Sequence, residues 1–161
     1  MTALTQLLKL MSTPLPCRSQ QRRKPYRPNQ REIQRIYSLL NRAIFDSKLH
    51  RPLIITGREN DALGWCIGSR IPTRSRSGCI MRLTDKWFCV QWLIFVMAHE
   101  MCHQYQWDIL GPQRQAKGME PKMSHGPSFL IHRARLADIG VPLMKRVYVY
   151  KWFEHQDLKK L

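Results

Sequence analysis

The chain is poor in acid. Its 161 residues carry 11 Asp and Glu against 27 Lys and Arg, a formal net charge of +16, and the first carboxylate is Glu32. Such an imbalance argues against a cationic substrate and for nucleic acid or another polyanion as partner. Paired cysteines are missing too. Cys17, Cys66, Cys79, Cys89 and Cys102 are odd in number and never stand as CxxC. That argues against a disulfide scaffold or a four-cysteine zinc ribbon, and it fits a reducing, intracellular setting. Long apolar runs are also absent. Trp87 to Ala98 is the longest, bounded by Lys86 and His99, and a membrane-spanning helix needs roughly 20 residues. The N-terminal stretch has no charged segment ahead of its weak apolar run, so it is a poor signal peptide. Its lack of acids leaves an organellar presequence open for a eukaryotic source. No internal repeat occurs.

What is present divides into an arm and a domain. Over residues 1–28, Pro14, Pro16, Pro25 and Pro28 break regular structure, and Arg18, Arg22, Arg23, Lys24 and Arg27 form a charge run without acids. This predicts a flexible arm, either a solvated leader or an electrostatic grip on a phosphate backbone, with Tyr26 able to stack on a base. The folded domain is expected over 29–155, followed by a short polar tail at 156–161.

Within the domain, Ile33, Ile36, Tyr37, Leu40, Ile44 and Phe45 recur at helical spacing behind Asn29, a good cap. Leu53 to Thr56 reads as a short buried strand closed by Gly57. Residues 62–67 and 78–83 read as a hairpin whose tip carries Arg70, Arg74 and Arg76. On its second strand Cys79, Met81 and Leu83 share the better core face. A helix is predicted over 85–107, capped by Thr84 or Asp85 and apolar round nearly its whole first half, hence buried on all sides. Residues 108–124 read as an irregular loop, 127 or 128 to 138 as a second helix ended by Gly140, and 143–152 as a strand.

The chemistry gathers at the far end of the buried helix, in His99-Glu100-Met101-Cys102-His103. Positions i and i+4 lie on one helical face, so two imidazoles can share one ion from successive turns. Glu100 is rotated off that axis, where it can reach a water on the open side of the metal and act as general base. A third ligand is needed. The HExxHxxGxxH pattern fails, because Gln106 and Ile109 occupy the glycine and histidine positions. Glu120 and His125 both stand downstream. His125 is favoured, since it precedes a Gly-Pro turn that fixes its backbone, whereas Glu120 lies in a less anchored loop. Tyr105 can be read as assisting an oxyanion or as packing, and packing is favoured; His132 reads as a surface or packing histidine rather than a ligand. Cys102, Trp87, Phe88, Trp92 and Phe95 read as core, His50 and His155 as solvent-facing. Trp65 is the aromatic candidate for contact with a substrate or base.

HEMCH followed about twenty residues later by HGPSF resembles the SprT-like zinc metallopeptidases, the family that includes the Spartan-type DNA-dependent proteases. IYSLLNRAIFDSKLHRPLIIT is similar to that family's opening helix and first strand. LGWC and CIMRLTDKWF are similar to its hairpin and the start of its active-site helix. The likeness covers roughly residues 30 to 140. It implies an α+β, zincin-like minimal metalloprotease domain, with a small antiparallel or mixed sheet packed on the HExxH helix. It further implies one catalytic Zn2+ held by His99, His103 and His125, with Glu100 as catalytic base. The substrates implied are proteins bound or crosslinked to DNA, with single-stranded DNA as the nucleic acid. No cysteine follows Cys102, so the C-terminal ribbon of many members is not expected here. DNA contact would then rest on Arg18, Arg22, Arg23, Lys24, Arg27, Arg70, Arg74 and Arg76. The expected setting is cytoplasmic or nucleoid-associated, nuclear in a eukaryote. Two other readings are a zinc-containing nucleic-acid module without proteolysis and a general intracellular peptidase unconnected with DNA.

Overall fold

A computed structural model describes residues 1–14, 25–57 and 63–144. The order is α1 (Ala3–Met11), α2 (Gln30–Ile44), β1 (Leu53–Gly57), β2 (Gly64–Gly68), β3 (Cys79–Thr84) and α3 (Val90–Tyr105). A π-helical turn (Gln106–Leu110) and α4 (Gly111–Gln115) extend α3, and a 3-10 turn (Phe129–His132) leads into α5 (Arg133–Asp138). The chain is therefore mixed α+β, with one three-stranded mixed sheet. Among the described residues no helix is long and apolar enough to cross a membrane.

Helix α2 starts where the sequence places it. Asn29 Oδ1 accepts the Glu32 N–H and the Glu32 carboxylate accepts the Asn29 N–H, a reciprocal cap. Its apolar stripe, Ile33, Ile36, Tyr37, Leu40 and Ile44, is buried together with Leu39. The hairpin also forms, with Cys66 opposite Met81, and β1 joins β3 in parallel to give the order β1-β3-β2. Strand β3 buries Cys79, Met81 and Leu83 and exposes Arg82. Helix α3 crosses the core, with every residue from Gln91 to Gln104 buried.

Several expectations need correction. Strand β1 is an edge strand and leaves Leu53 and Ile55 exposed rather than buried. Residues 1–28 are not an arm throughout. Thr2 caps α1, whose Leu7 and Met11, one helical turn apart, sink into the core beside α2 and α3. Pro14 follows this helix rather than preventing it. Tyr26 pairs with Trp87 through two backbone hydrogen bonds of 2.7 and 2.9 Å, so residues 25–28 are tied to the segment before α3. Helix α3 begins at Val90, with Cys89 as cap, and Trp87, expected inside the helix, is instead held in that bridge. Residues 108–115 are helical rather than part of a loop, since Pro112 lies in the first turn of α4, where its missing N–H costs nothing. The helix after His125 opens as a 3-10 turn and becomes α-helical at Arg133. Gly140, at φ +75°, follows its end as expected. Leu143 and Met144 have no strand pairing, and the remainder of the strand expected over 143–152 lies outside the described residues.

Candidate metal centre

Three histidines meet at the end of α3. His99 and His103 project from successive turns, and His125 comes from the segment before the 3-10 turn. Nε2 of His125 stands 3.1 Å from Nε2 of His99 and 3.1 Å from Nε2 of His103. Glu120 takes no part: it is exposed, and its backbone carbonyl accepts from Arg114 Nε at 2.8 Å.

The partners of the other ring nitrogens fix where the protons are. His99 Nδ1 lies 2.9 Å from the Met144 carbonyl, which can only accept, so Nδ1 carries the hydrogen. Gln106 is oriented by its own bonds: its amide nitrogen donates to the Ser124 carbonyl and Ser128 Oγ, and its oxygen accepts the Ser124 N–H. It therefore meets His103 Nδ1, 3.0 Å away, with oxygen, and that nitrogen also carries the hydrogen. Both rings thus turn an Nε2 lone pair towards His125. A single hydrogen on His125 Nε2 could serve one of them, which leaves the other lone pair without a donor. One cation between the three nitrogens satisfies all of them. Nitrogens on a tetrahedral ion with bonds of about 2.0–2.1 Å lie about 3.3–3.4 Å apart, a few tenths from the spacing seen. The three residues can hold a metal ion.

Their surroundings suit that task. The Phe129 ring lies against all three imidazoles, with centroid distances of 4.8, 4.7 and 4.8 Å to His99, His103 and His125. Burial pushes His99 down to about 3, with His103 and His125 adding to it. His103 is lowered by burial first, the Gln106 contact opposing and His125 assisting. Neutral imidazole is the form that ligates. Glu100 is buried beside them. Burial pushes its carboxyl up to about 8, while a hydrogen bond from the Cys66 backbone of strand β2 pulls the other way.

The π turn ties this centre to the rest of the domain, each side chain gripping a different segment. Gln106 holds a ligand and the loop that carries His125. The Trp107 indole N–H donates to the Arg70 carbonyl at 2.9 Å and lies so close over Gly68 and Gly78 that a Cβ at either would overlap it. Asp108 accepts from the Gly78 N–H, the Ser77 hydroxyl and Gln104 Nε2, at 2.8, 2.6 and 2.9 Å. Gln104 and Tyr37 extend that network to the His50 carbonyl. Most of these roles are invisible from local motif spacing, because partners such as Ser124 and Arg70 stand 18 and 37 residues away. The available signal was the set of polar residues, Gln104, Gln106 and Asp108, that follow the last histidine of the buried helix.

Of the expected nucleic-acid contacts, Arg70, Arg74 and Arg76 are exposed at the hairpin tip. Arg27 is bonded to Asp85 at 3.0 Å, so its charge is partnered. Arg18, Arg22, Arg23 and Lys24 lie outside the described residues. Cys102 is core, and Trp65 is exposed. His132 is buried between the Phe45 and Tyr105 rings, at 4.5 and 4.6 Å, a packing role for both it and Tyr105. Comparison with protein-family profiles, with curated proteins and with solved structures returns no match.

Proposed function

We propose that the chain is a zinc-dependent endopeptidase of the SprT-like type, acting on proteins bound or crosslinked to DNA. The observation that carries this reading is the convergence of three imidazole nitrogens beside a buried carboxyl on the same helix. A site serving structure alone has no need of Glu100. Zinc held by His99, His103 and His125 would supply a water of lowered pKa and Lewis-acid polarisation of a peptide carbonyl.

The chain's own groups do the rest. Glu100 accepts a proton at its carboxylate and returns it to the leaving amine. The Cys66 N–H steadies that carboxylate from β2. Phe129 covers one side of the three rings and keeps water from it. Strand β2 is an edge of the sheet, and its backbone can pair with an extended peptide. Arg70, Arg74 and Arg76 form no ion pair among the described residues, which leaves them available to a phosphate backbone, with the salt sensitivity such contacts carry.

The test compares wild type with Glu100→Gln for self-cleavage and histone cleavage, with and without single-stranded DNA. Wild type is expected to cleave with DNA stimulation and the variant to be inert at equal zinc content. Two zinc-loaded but inactive proteins would end the enzyme reading. Cleavage indifferent to DNA by a chain that does not bind it would end the DNA link.

A further inference from the structure

A cavity of about 210 Å³ is lined by the end of the π turn, α4 and the segment 117–128. Arg114, Lys117, Lys122 and Ser128 line it together with Leu110 and Met119, and no acidic side chain does. We infer that this cavity is a phosphate site, which takes a phosphate group of a single-stranded nucleic acid independently of any chemistry at the metal.

The polar groups are displayed as free donors. Arg114 Nε is spent on the Glu120 carbonyl at 2.8 Å, which pins the side chain. Among the described residues its two Nη groups have no partner. Lys117 and Lys122 enter no ion pair among those residues. Ser128 Oγ accepts from Gln106 at 2.6 Å, and its own O–H donates to none of the described groups. Arginine, two ammonium groups and a hydroxyl with its hydrogen unspent match an oxyanion, and the charge of a phosphate suits several cations better than a single carboxylate does.

The frame is built beforehand. The Lys117 and Met119 N–H groups both donate to the Arg114 carbonyl at 2.9 Å, and the Gly118 N–H donates to Gln115 at 2.9 Å. The turn that presents Lys117 is therefore closed by its own backbone before any ligand arrives. The volume exceeds that of one phosphate, and Leu110 and Met119 offer an apolar wall to an attached sugar or base. The cavity also adjoins the metal centre through two hydrogen bonds, Ser128 to Gln106 and Gln106 to His103.

The test uses the zinc-loaded full chain, a short fluorescent single-stranded oligonucleotide and inorganic phosphate. Lys117→Gln with Lys122→Gln is compared with Lys9→Gln with Arg31→Gln, exposed cations of α1 and α2 whose removal changes net charge equally. The cavity pair should weaken the oligonucleotide about tenfold and lower the slope of log affinity against log salt by up to about 1.4. The control pair should weaken it far less, with zinc content equal in all proteins. Equal weakening by both pairs, or no binding by wild type, overturns the site. Displacement of the oligonucleotide by inorganic phosphate from wild type alone identifies a free or terminal phosphate as the ligand. A tenfold loss without such displacement identifies an internal phosphodiester. A polyglutamate peptide that binds as tightly, and suffers the same loss in the cavity pair, reassigns the site to carboxylates and overturns the phosphate assignment.

Discussion

Replacing Gln106 by leucine removes a buried amide without opening much space, and it separates metal positioning from simple packing. The amide makes four hydrogen bonds, to His103 Nδ1, to the Ser124 N–H and carbonyl, and to Ser128 Oγ. The Ser128 hydroxyl can turn to another partner, which leaves three groups orphaned. At roughly 1 kcal/mol each, the metal-free protein should lose about 3 kcal/mol. A chain of this size then melts about 6–12 °C lower. The effect on the metal is separate and larger than packing alone allows. Gln106 fixes the proton on one ligand and the loop of another, so metal affinity should fall about 10- to 100-fold. Thermal denaturation of the metal-free protein gives the first quantity and zinc competition against a chelator gives the second. A full loss of melting temperature with metal affinity within about threefold of wild type would refute the positioning role.

Two further substitutions probe the frame of the site. Leu7→Ala should cost about 3 kcal/mol in urea denaturation, as for other buried leucines, because Leu7 is fully buried under α1. A cost under about 0.5 kcal/mol would be that of an exposed position and would detach α1 from the core. His132 is held down to about 4, chiefly by burial, with Arg135 and Lys48 assisting and Asp46 opposing. Its folded pKa lies below the ordinary value of about 6.5, so the unfolded chain binds the extra proton between those two values. Stability should therefore fall as pH drops from about 6.5 to 4, by at most about 1.4 kcal/mol per unit from this residue. His132→Phe should flatten that slope in the metal-free protein, and an unchanged slope would contradict the assignment.

The elements legible in the sequence were those with a local cause. Helix α2 carries its cap and stripe within a few residues, the hairpin its alternation, and α3 its long, mostly apolar run. His99, Glu100 and His103 are close in the chain, and His125 announces itself by the Gly-Pro turn behind it. What escaped depends on distant partners. Helix α1 has too weak a pattern to stand alone and is fixed by burial of Leu7 and Met11 against other helices. Gly111-Pro112 reads as a break, yet proline is harmless in the first turn of a helix that continues another. Gln106 reads as a fault in a metal-binding pattern, and it is the residue that secures two of the ligands.

The most direct measurement of the three-histidine centre is metal stoichiometry in wild type, His99→Ala, His103→Ala and His125→Ala, by elemental analysis after equilibrium dialysis against zinc. Wild type should hold one ion per chain. Each variant should lose it at concentrations where wild type is saturated, while Glu120→Ala keeps it. Full occupancy in His125→Ala, or loss in Glu120→Ala with His125 intact, would contradict the centre described here.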